Sequence, residues 1–172
     1  MPRTATVNYH VHKPERQAFQ LDAGGIAGNL ISPELAPTSV TLADVRARPT
    51  SVSFVSDAVE FVHQPSKVDT FSGQAWKATY DDELTTLLRQ TISARDVVIF
   101  DHTVRVDDPD AVRKPARNVH SDYCQAGAER RLIDLLGSET ASEWAQGHYA
   151  FVNVWRPMDH PINSAPLGFV RP

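Results

Sequence analysis

A histidine and an aspartate separated by one residue form the clearest pair of metal-ligating side chains in the sequence. His120 and Asp122 stand in the segment Arg117–Tyr123. If this segment is extended, residues two apart point to the same face, so one ion can meet both an imidazole nitrogen and a carboxylate oxygen. The pair supplies two-thirds of the 2-His-1-carboxylate triad, which leaves open positions on Fe(II) for a co-substrate and oxygen. The alternative is a His–Asp hydrogen bond at a strand end.

Two other groupings offer different chemistry. His10 and His12 form a second same-face pair with metal-binding potential, and an exposed strand near the terminus is the competing interpretation. Cys124 and His120 could form a Cys–His pair in which the cysteine is the nucleophile. A lone cysteine, however, is more commonly a small buried hydrophobe. The glycine-rich residues 24–28 lack the spacing of a dinucleotide-binding loop, so we interpret them as a connecting loop.

Three arginines are candidates for contacting the carboxylates of a co-substrate or substrate. They are Arg105, Arg117 and Arg156. The planar guanidinium presents a fork of N–H donors that matches a carboxylate. For Arg117 we favour a surface ion pair instead.

Length and composition limit the classes of protein. The 172 residues predict one domain over residues 1–172. The 17 basic and 21 acidic side chains give a net charge of −4, which argues against a general nucleic-acid-binding protein. No apolar run approaches the roughly 20 residues that cross a bilayer, and no signal-peptide pattern opens the chain. With a single cysteine and no internal disulfide, we expect a cytoplasmic protein without a membrane partner.

Five β-prone runs bounded by breakers are predicted as the strands that position the candidate residues. They cover Thr6–Val11, Ser51–Val62, Val97–Val106, His148–Arg156 and Leu167–Val170. In the fourth run, alternation places Phe151, Asn153 and Trp155 on one face, and we expect Trp155 in the core.

Three helices are predicted between these strands. Acidic residues and apolar spacing favour a helix over Asp81–Ile92, and a second covers Ala126–Leu136 with Gly137 as its stop. A third starts at Thr140, where Glu143 offers a capping box. The predicted fold class is therefore a β-rich α+β domain.

Three segments, in order and with suitable spacing, resemble the signatures of one family. They are residues 98–105, residues 119–123, and residues 151–157 followed by Pro166 and Leu167. On these motifs the chain resembles the AsaB/CmcJ-like hydroxylases and desaturases, from about Tyr9 to the last residue. That group includes fungal secondary-metabolite enzymes and the bacterial CmcJ-like component of cephamycin 7-methoxylation.

The resemblance implies a non-haem Fe(II), 2-oxoglutarate-dependent oxygenase that acts on a small organic molecule. The implied fold is a double-stranded β-helix of the cupin or jelly-roll type with a few flanking helices. His120 and Asp122 match the first two iron ligands. Arg105, Asn153 and Arg156 lie within the matching motifs and are expected to line the co-substrate site.

The family's third iron ligand is a second histidine from a much later strand. Family members are longer than this sequence, so we expect the chain to hold the N-terminal and central part of a partial β-helix. His102, His148 and His160 are the local substitutes to consider, and no motif supports them as ligands.

Two classes of function therefore stay open. One is an oxygenase, which hydroxylates or desaturates its substrate. The other is a non-catalytic accessory or binding module, or a fragment, that works with a partner such as a methyltransferase-like protein. A half β-helix exposes unpaired strand edges, which predicts a homo-oligomer.

Overall fold

The computed structural model describes residues 3–14, 34–47, 52–111 and 113–170. Its elements, in chain order, are β1 (Arg3–His10), β2 (Leu35–Leu42), a short 3-10 helix (Val45–Ala47), α1 (Phe54–Asp57), α2 (Trp76–Ile92), α3 (Gln125–Leu136) and α4 (Ser138–Ala145). None of the described helices is both long and apolar enough to cross a membrane.

The described residues form two compact units. Unit 1 takes those up to Leu42 and those from Thr103 to Leu167, and unit 2 takes those from Ala43 to His102 and from Gly168 onward. The partial β-helix and the single domain over residues 1–172 stay predictions. The loop predicted at residues 24–28 lies outside the described residues.

The sheet of unit 1 pairs β1 with β2 in antiparallel order. The register runs from Arg3 opposite Leu42 to His10 opposite Leu35. Beyond the strand end, the N–H of Val11 donates to the Glu34 carbonyl at 2.9 Å. Hydrogen-bonded pairs alternate in such a ladder, so the even-numbered residues of β1 direct their backbone groups to the opposite edge. The strand predicted at residues 6–11 is confirmed over residues 6–10; it starts three residues earlier and ends at His10.

A glycine separates the two helices of unit 1. Gly137 has φ 77° and ψ 161°, a conformation essentially reserved for glycine, and its N–H donates to the Ile133 carbonyl at 2.8 Å. It ends α3 and also caps α4, which begins at Ser138. The stop at Gly137 is confirmed, whereas the predicted capping box at Thr140 is wrong because α4 has already started. Leu132 of α3 is buried.

The long helix of unit 2 starts earlier than the apolar spacing predicted. α2 begins at Trp76, five residues before the predicted Asp81. The extra turn is stabilised by an aromatic cluster, in which Phe71 has ring centroids 5.2 Å from Trp76 and 5.1 Å from Tyr80. Tyr80 is buried there.

The strand predicted at Ser51–Val62 is wrong over its described residues, because α1 occupies Phe54–Asp57. Ser53 precedes this helical turn with extended backbone, and its Oγ accepts from the Ser56 N–H at 3.3 Å. Serine at this position favours a helix start more than the alternation favours a strand.

Three further predicted strands are absent from the described residues. They are Val97–Val106, His148–Arg156 and Leu167–Val170. A β-prone sequence becomes a strand only where another strand pairs with its backbone, and no ladder reaches these segments in the part of the chain described. The core position predicted for Trp155 is also wrong, because this residue is 53% exposed.

Candidate metal-binding site

The edge of β1 that does not pair with β2 contacts the segment that leads into the predicted ligand pair. The Asn8 carbonyl accepts from the Val119 N–H at 2.8 Å, and Asn8 Nδ2 donates to the Arg117 carbonyl at 2.7 Å. His10, two residues along the strand, meets Asn118 Nδ2 with its Nε2 at 2.8 Å. Residues two apart share a strand face, so the side chains of Asn8 and His10 reach the neighbouring residues Arg117 and Asn118.

His120 has a defined ring orientation. Its Nδ1 lies 2.9 Å from the Asn118 carbonyl oxygen. A carbonyl only accepts, so Nδ1 carries a proton, and in the neutral form of the ring the lone pair sits on Nε2. Nε2 lies 3.4 Å from Asp122 Oδ1. Two lone-pair atoms at this distance repel each other unless a proton or a cation lies between them.

Asp122 is oriented by a residue from a distant part of the chain. Its Oδ2 accepts from Asn153 Nδ2 at 2.6 Å. The neighbouring Tyr123 packs on Phe151 with ring centroids 4.7 Å apart. Phe151 and Asn153 therefore contact consecutive residues of the ligand segment. The structure brings Asn153 to the predicted pair.

The pair fits two ligand positions of a metal ion. Nitrogen and oxygen ligands lie about 2.1 Å from such ions, so two at right angles are about 3.0 Å apart. The 3.4 Å between His120 Nε2 and Asp122 Oδ1 is close to this, and both side chains are accessible at 37% and 48% exposure. A histidine ligand commonly donates its other N–H to a backbone carbonyl, as His120 does to Asn118.

A complete ligand set is not found in the described residues. No group of three histidine, cysteine, aspartate or glutamate side chains within them can hold a metal ion. All seven histidines of the sequence lie in described segments, so His102, His148 and His160 do not complete the site there.

The arginines have different surroundings. Arg117 Nη2 donates to Asp107 Oδ1 at 2.7 Å, so the predicted surface ion pair is confirmed. A hydrogen bond from Ser164 and the Arg117 guanidinium hold the pKa of Asp107 below its ordinary value. Arg105 Nη1 donates to the Lys114 carbonyl at 2.8 Å. Its assignment to the co-substrate stays a prediction.

Arg156 lies three residues after Asn153 in the same segment and is half-buried. Like that of Arg105, its contact with a co-substrate stays a prediction.

The two alternative groupings have different surroundings. In the His10–His12 pair, His10 contacts the Asn118 amide, while His12 is exposed beyond the end of β1. Cys124 is exposed and immediately precedes α3. The two ring nitrogens of His120 face the Asn118 carbonyl and the Asp122 carboxylate instead of the Cys124 thiol.

Sequence reasoning missed the supporting residues of the site. Asn118 stands two positions before His120, and this same-face spacing was a usable signal. The role of Asn8 had no signal, because it depends on which segment lies along the β1 edge. A second unpredicted pair lies in unit 2, where His102 Nε2 is 2.6 Å from Asp81 Oδ1.

Comparison with known proteins assigns the chain to a family. The sequence profile of the Oxidoreductase/YMDC permease-like domain matches residues 7–171. The Hydroxylase/desaturase efuI of Hormonema carpetanum is 24% identical over 169 residues, which cover 89% of this chain and 56% of that protein. The chain thus spans about half the length of this curated relative. No solved structure matches the chain. Because the profile extends over nearly all its residues, the chain belongs to the Oxidoreductase/YMDC permease-like domain family and is an oxidoreductase-like domain.

Proposed function

We propose that this oxidoreductase-like chain contributes two protein ligands to an AsaB/CmcJ-like, Fe(II)- and 2-oxoglutarate-dependent hydroxylase or desaturase site for a small organic molecule. One observation carries the proposal. His120 Nε2 lies 3.4 Å from Asp122 Oδ1, and the other ring nitrogen, Nδ1, lies 2.9 Å from the Asn118 carbonyl oxygen, so Nε2 is the nitrogen on the side of the carboxylate. The name of the fungal relative, a hydroxylase/desaturase, supports the reaction class.

When bound, iron and 2-oxoglutarate would supply, with dioxygen as the oxidant, the chemistry that removes hydrogen from a substrate carbon, the step that hydroxylation and desaturation share. The other residues of this chain orient the two ligand side chains. The Asn118 carbonyl keeps the His120 ring turned so that Nε2 can ligate. Asn153 occupies Oδ2 of Asp122 and leaves Oδ1 on the side of His120.

Co-substrate binding is assigned to the segment that carries Asn153. Arg156 follows three residues later, and its guanidinium matches the distal carboxylate of 2-oxoglutarate. Arg105 is the second candidate. In this proposal the remaining iron ligand comes from outside the described residues.

A second candidate function is a binding module without catalysis. It is favoured by the lack of a three-member ligand group in the described segments. Such a module would retain its protein partner after His120→Ala, whereas a metal site would be lost.

Cobalt(II) titration followed by visible absorption tests the metal site directly. We expect His120→Ala and Asp122→Asn to weaken Co(II) binding by more than about 100-fold, beyond the range for outer-shell partners. His160→Ala is the matched control, since His160 is an exposed histidine outside the pair. Equal Co(II) affinity in all four proteins would contradict the proposal.

A further inference from the structure

We propose that His10 is a positioning residue, which orients His120 by fixing the side chain of Asn118. Asn118 connects the two histidines. Its Nδ2 lies 2.8 Å from His10 Nε2, and its backbone oxygen lies 2.9 Å from His120 Nδ1. The sequence pattern suggested a metal-binding role for His10, and the contacts give it this different task.

The direction of each hydrogen bond follows from the groups involved. The amide nitrogen of Asn118 can only donate, so His10 accepts at Nε2 and holds its own proton on Nδ1. The Asn118 carbonyl can only accept, so His120 donates from Nδ1. The two bonds together therefore require a proton on Nδ1 of His120 and a lone pair on Nε2 of His10.

The backbone already fixes part of this geometry. The Val119 N–H and the Asn118 C=O belong to one planar peptide unit and point in opposite directions. Because the Val119 N–H donates to Asn8, the Asn118 carbonyl points away from β1, on the side where His120 Nδ1 meets it. The peptide plane is thus held by the strand edge.

The side chain of Asn118 needs a separate restraint. Asparagine amides readily bond to nearby backbone and side-chain groups, which offers the chain competing local conformations. His10 holds the amide of Asn118 against β1 and keeps it from competing for the ring of His120, two residues away. Loss of the acceptor at position 10 should therefore allow the His120 ring to adopt a mixture of tautomers and orientations.

Nitrogen-15 NMR of the histidine rings in the metal-free protein tests this positioning. We expect wild-type His120 as the Nδ1–H tautomer, and we expect His10→Leu to give a mixture of tautomers at His120. His10→Gln should restore the wild-type pattern, because its amide oxygen can accept from Asn118. His12→Leu is the matched control, since His12 is exposed just beyond β1.

An unchanged His120 tautomer in His10→Leu would overturn the proposal. The wild-type spectrum is an independent check if that variant fails to fold, because an Nε2–H tautomer at His10 would also overturn it.

Metal affinity gives the second readout, and only this part rests on the proposed function. Outer-shell partners of metal ligands affect affinity by 10- to 100-fold, and His10 lies one bond beyond such a partner. We therefore expect Co(II) binding about tenfold weaker in His10→Leu and restored in His10→Gln. If the wild type binds no Co(II) while the His120 tautomer still responds to His10→Leu, the proposed function fails and the positioning role stands.

Discussion

Asn153 donates a 2.6 Å hydrogen bond from Nδ2 to Oδ2 of Asp122, a residue 31 positions away in the chain. The two oxygens of this carboxylate therefore have different partners. Oδ2 is bound by the amide, and Oδ1 lies 3.4 Å from His120 Nε2. In the proposed metal site, the amide and the imidazole would thereby set the direction from which an ion approaches.

Replacement of the amide should weaken the metal site without removing a ligand. We expect Asn153→Leu to lower Co(II) affinity about tenfold, because the Asp122 carboxylate then loses the donor that orients it. Calorimetric titration measures the change, with Asn163→Leu as the control at an exposed asparagine. Equal losses in both variants would show that Asn153 has no specific role.

The His102–Asp81 pair should stabilise unit 2. His102 is only 12% exposed, its Nε2 lies 2.6 Å from Asp81 Oδ1, and its ring packs edge-on against Trp76 at 4.9 Å. We expect His102→Ala to lower the free energy of unfolding by about 1–3 kcal/mol, since a hydrogen bond and aromatic contacts are lost. Urea denaturation measures this. His63→Ala, at an exposed histidine of the same unit, should change little, and a similar loss there would refute the assignment.

Acid sensitivity should depend on Asp107. The Ser164 hydrogen bond and the Arg117 guanidinium lower its pKa in the folded state from the ordinary 3.8. A lowered folded pKa gives stability that is present above the ordinary value and is lost as the pH falls through the folded value.

Asp107→Asn should therefore lose less stability than the wild type as the pH falls below about 4. Urea midpoints measured across the acid range test this, with Asp159→Asn as the control. Parallel curves for the wild type and Asp107→Asn would contradict the predicted role.

The junction of α3 and α4 should require glycine. Gly137 has φ 77° and ψ 161°, and an added Cβ would meet no atom within 4 Å, so the cost of a side chain there is backbone strain. We expect Gly137→Ala to destabilise the protein by about 1–3 kcal/mol. Thermal or urea unfolding measures this cost, and Gly147→Ala, where a Cβ makes only an ordinary contact at 3.7 Å, is the control. An equal effect at both positions would argue against strain at Gly137.

The sequence predicted what depends on neighbouring residues. The spacing of His120 and Asp122 placed both side chains on one side of the segment, and Gly137 marked a helix end. The sequence-based predictions were wrong where a segment's structure depends on distant partners. Val97–Val106 and His148–Arg156 have strand-like composition, yet in the described residues no neighbouring strand pairs with them.

The site shows the same division. Asn153 was expected near the pair from its motif, whereas the contact of His10 with Asn118 joins positions 108 residues apart. No local pattern encodes that contact, because it arises when the 117–119 segment lies along the free edge of β1.

Anaerobic titration with Fe(II) and 2-oxoglutarate, followed by the metal-to-ligand charge-transfer absorption, tests the central claim most directly. The account predicts a band that is absent in His120→Ala and Asp122→Asn and is retained in the His160→Ala control. A band of undiminished intensity in His120→Ala would contradict the assignment of His120 and Asp122 as the iron ligands. No band in folded wild-type protein would contradict an Fe(II)/2-oxoglutarate site on this chain and favour the binding module.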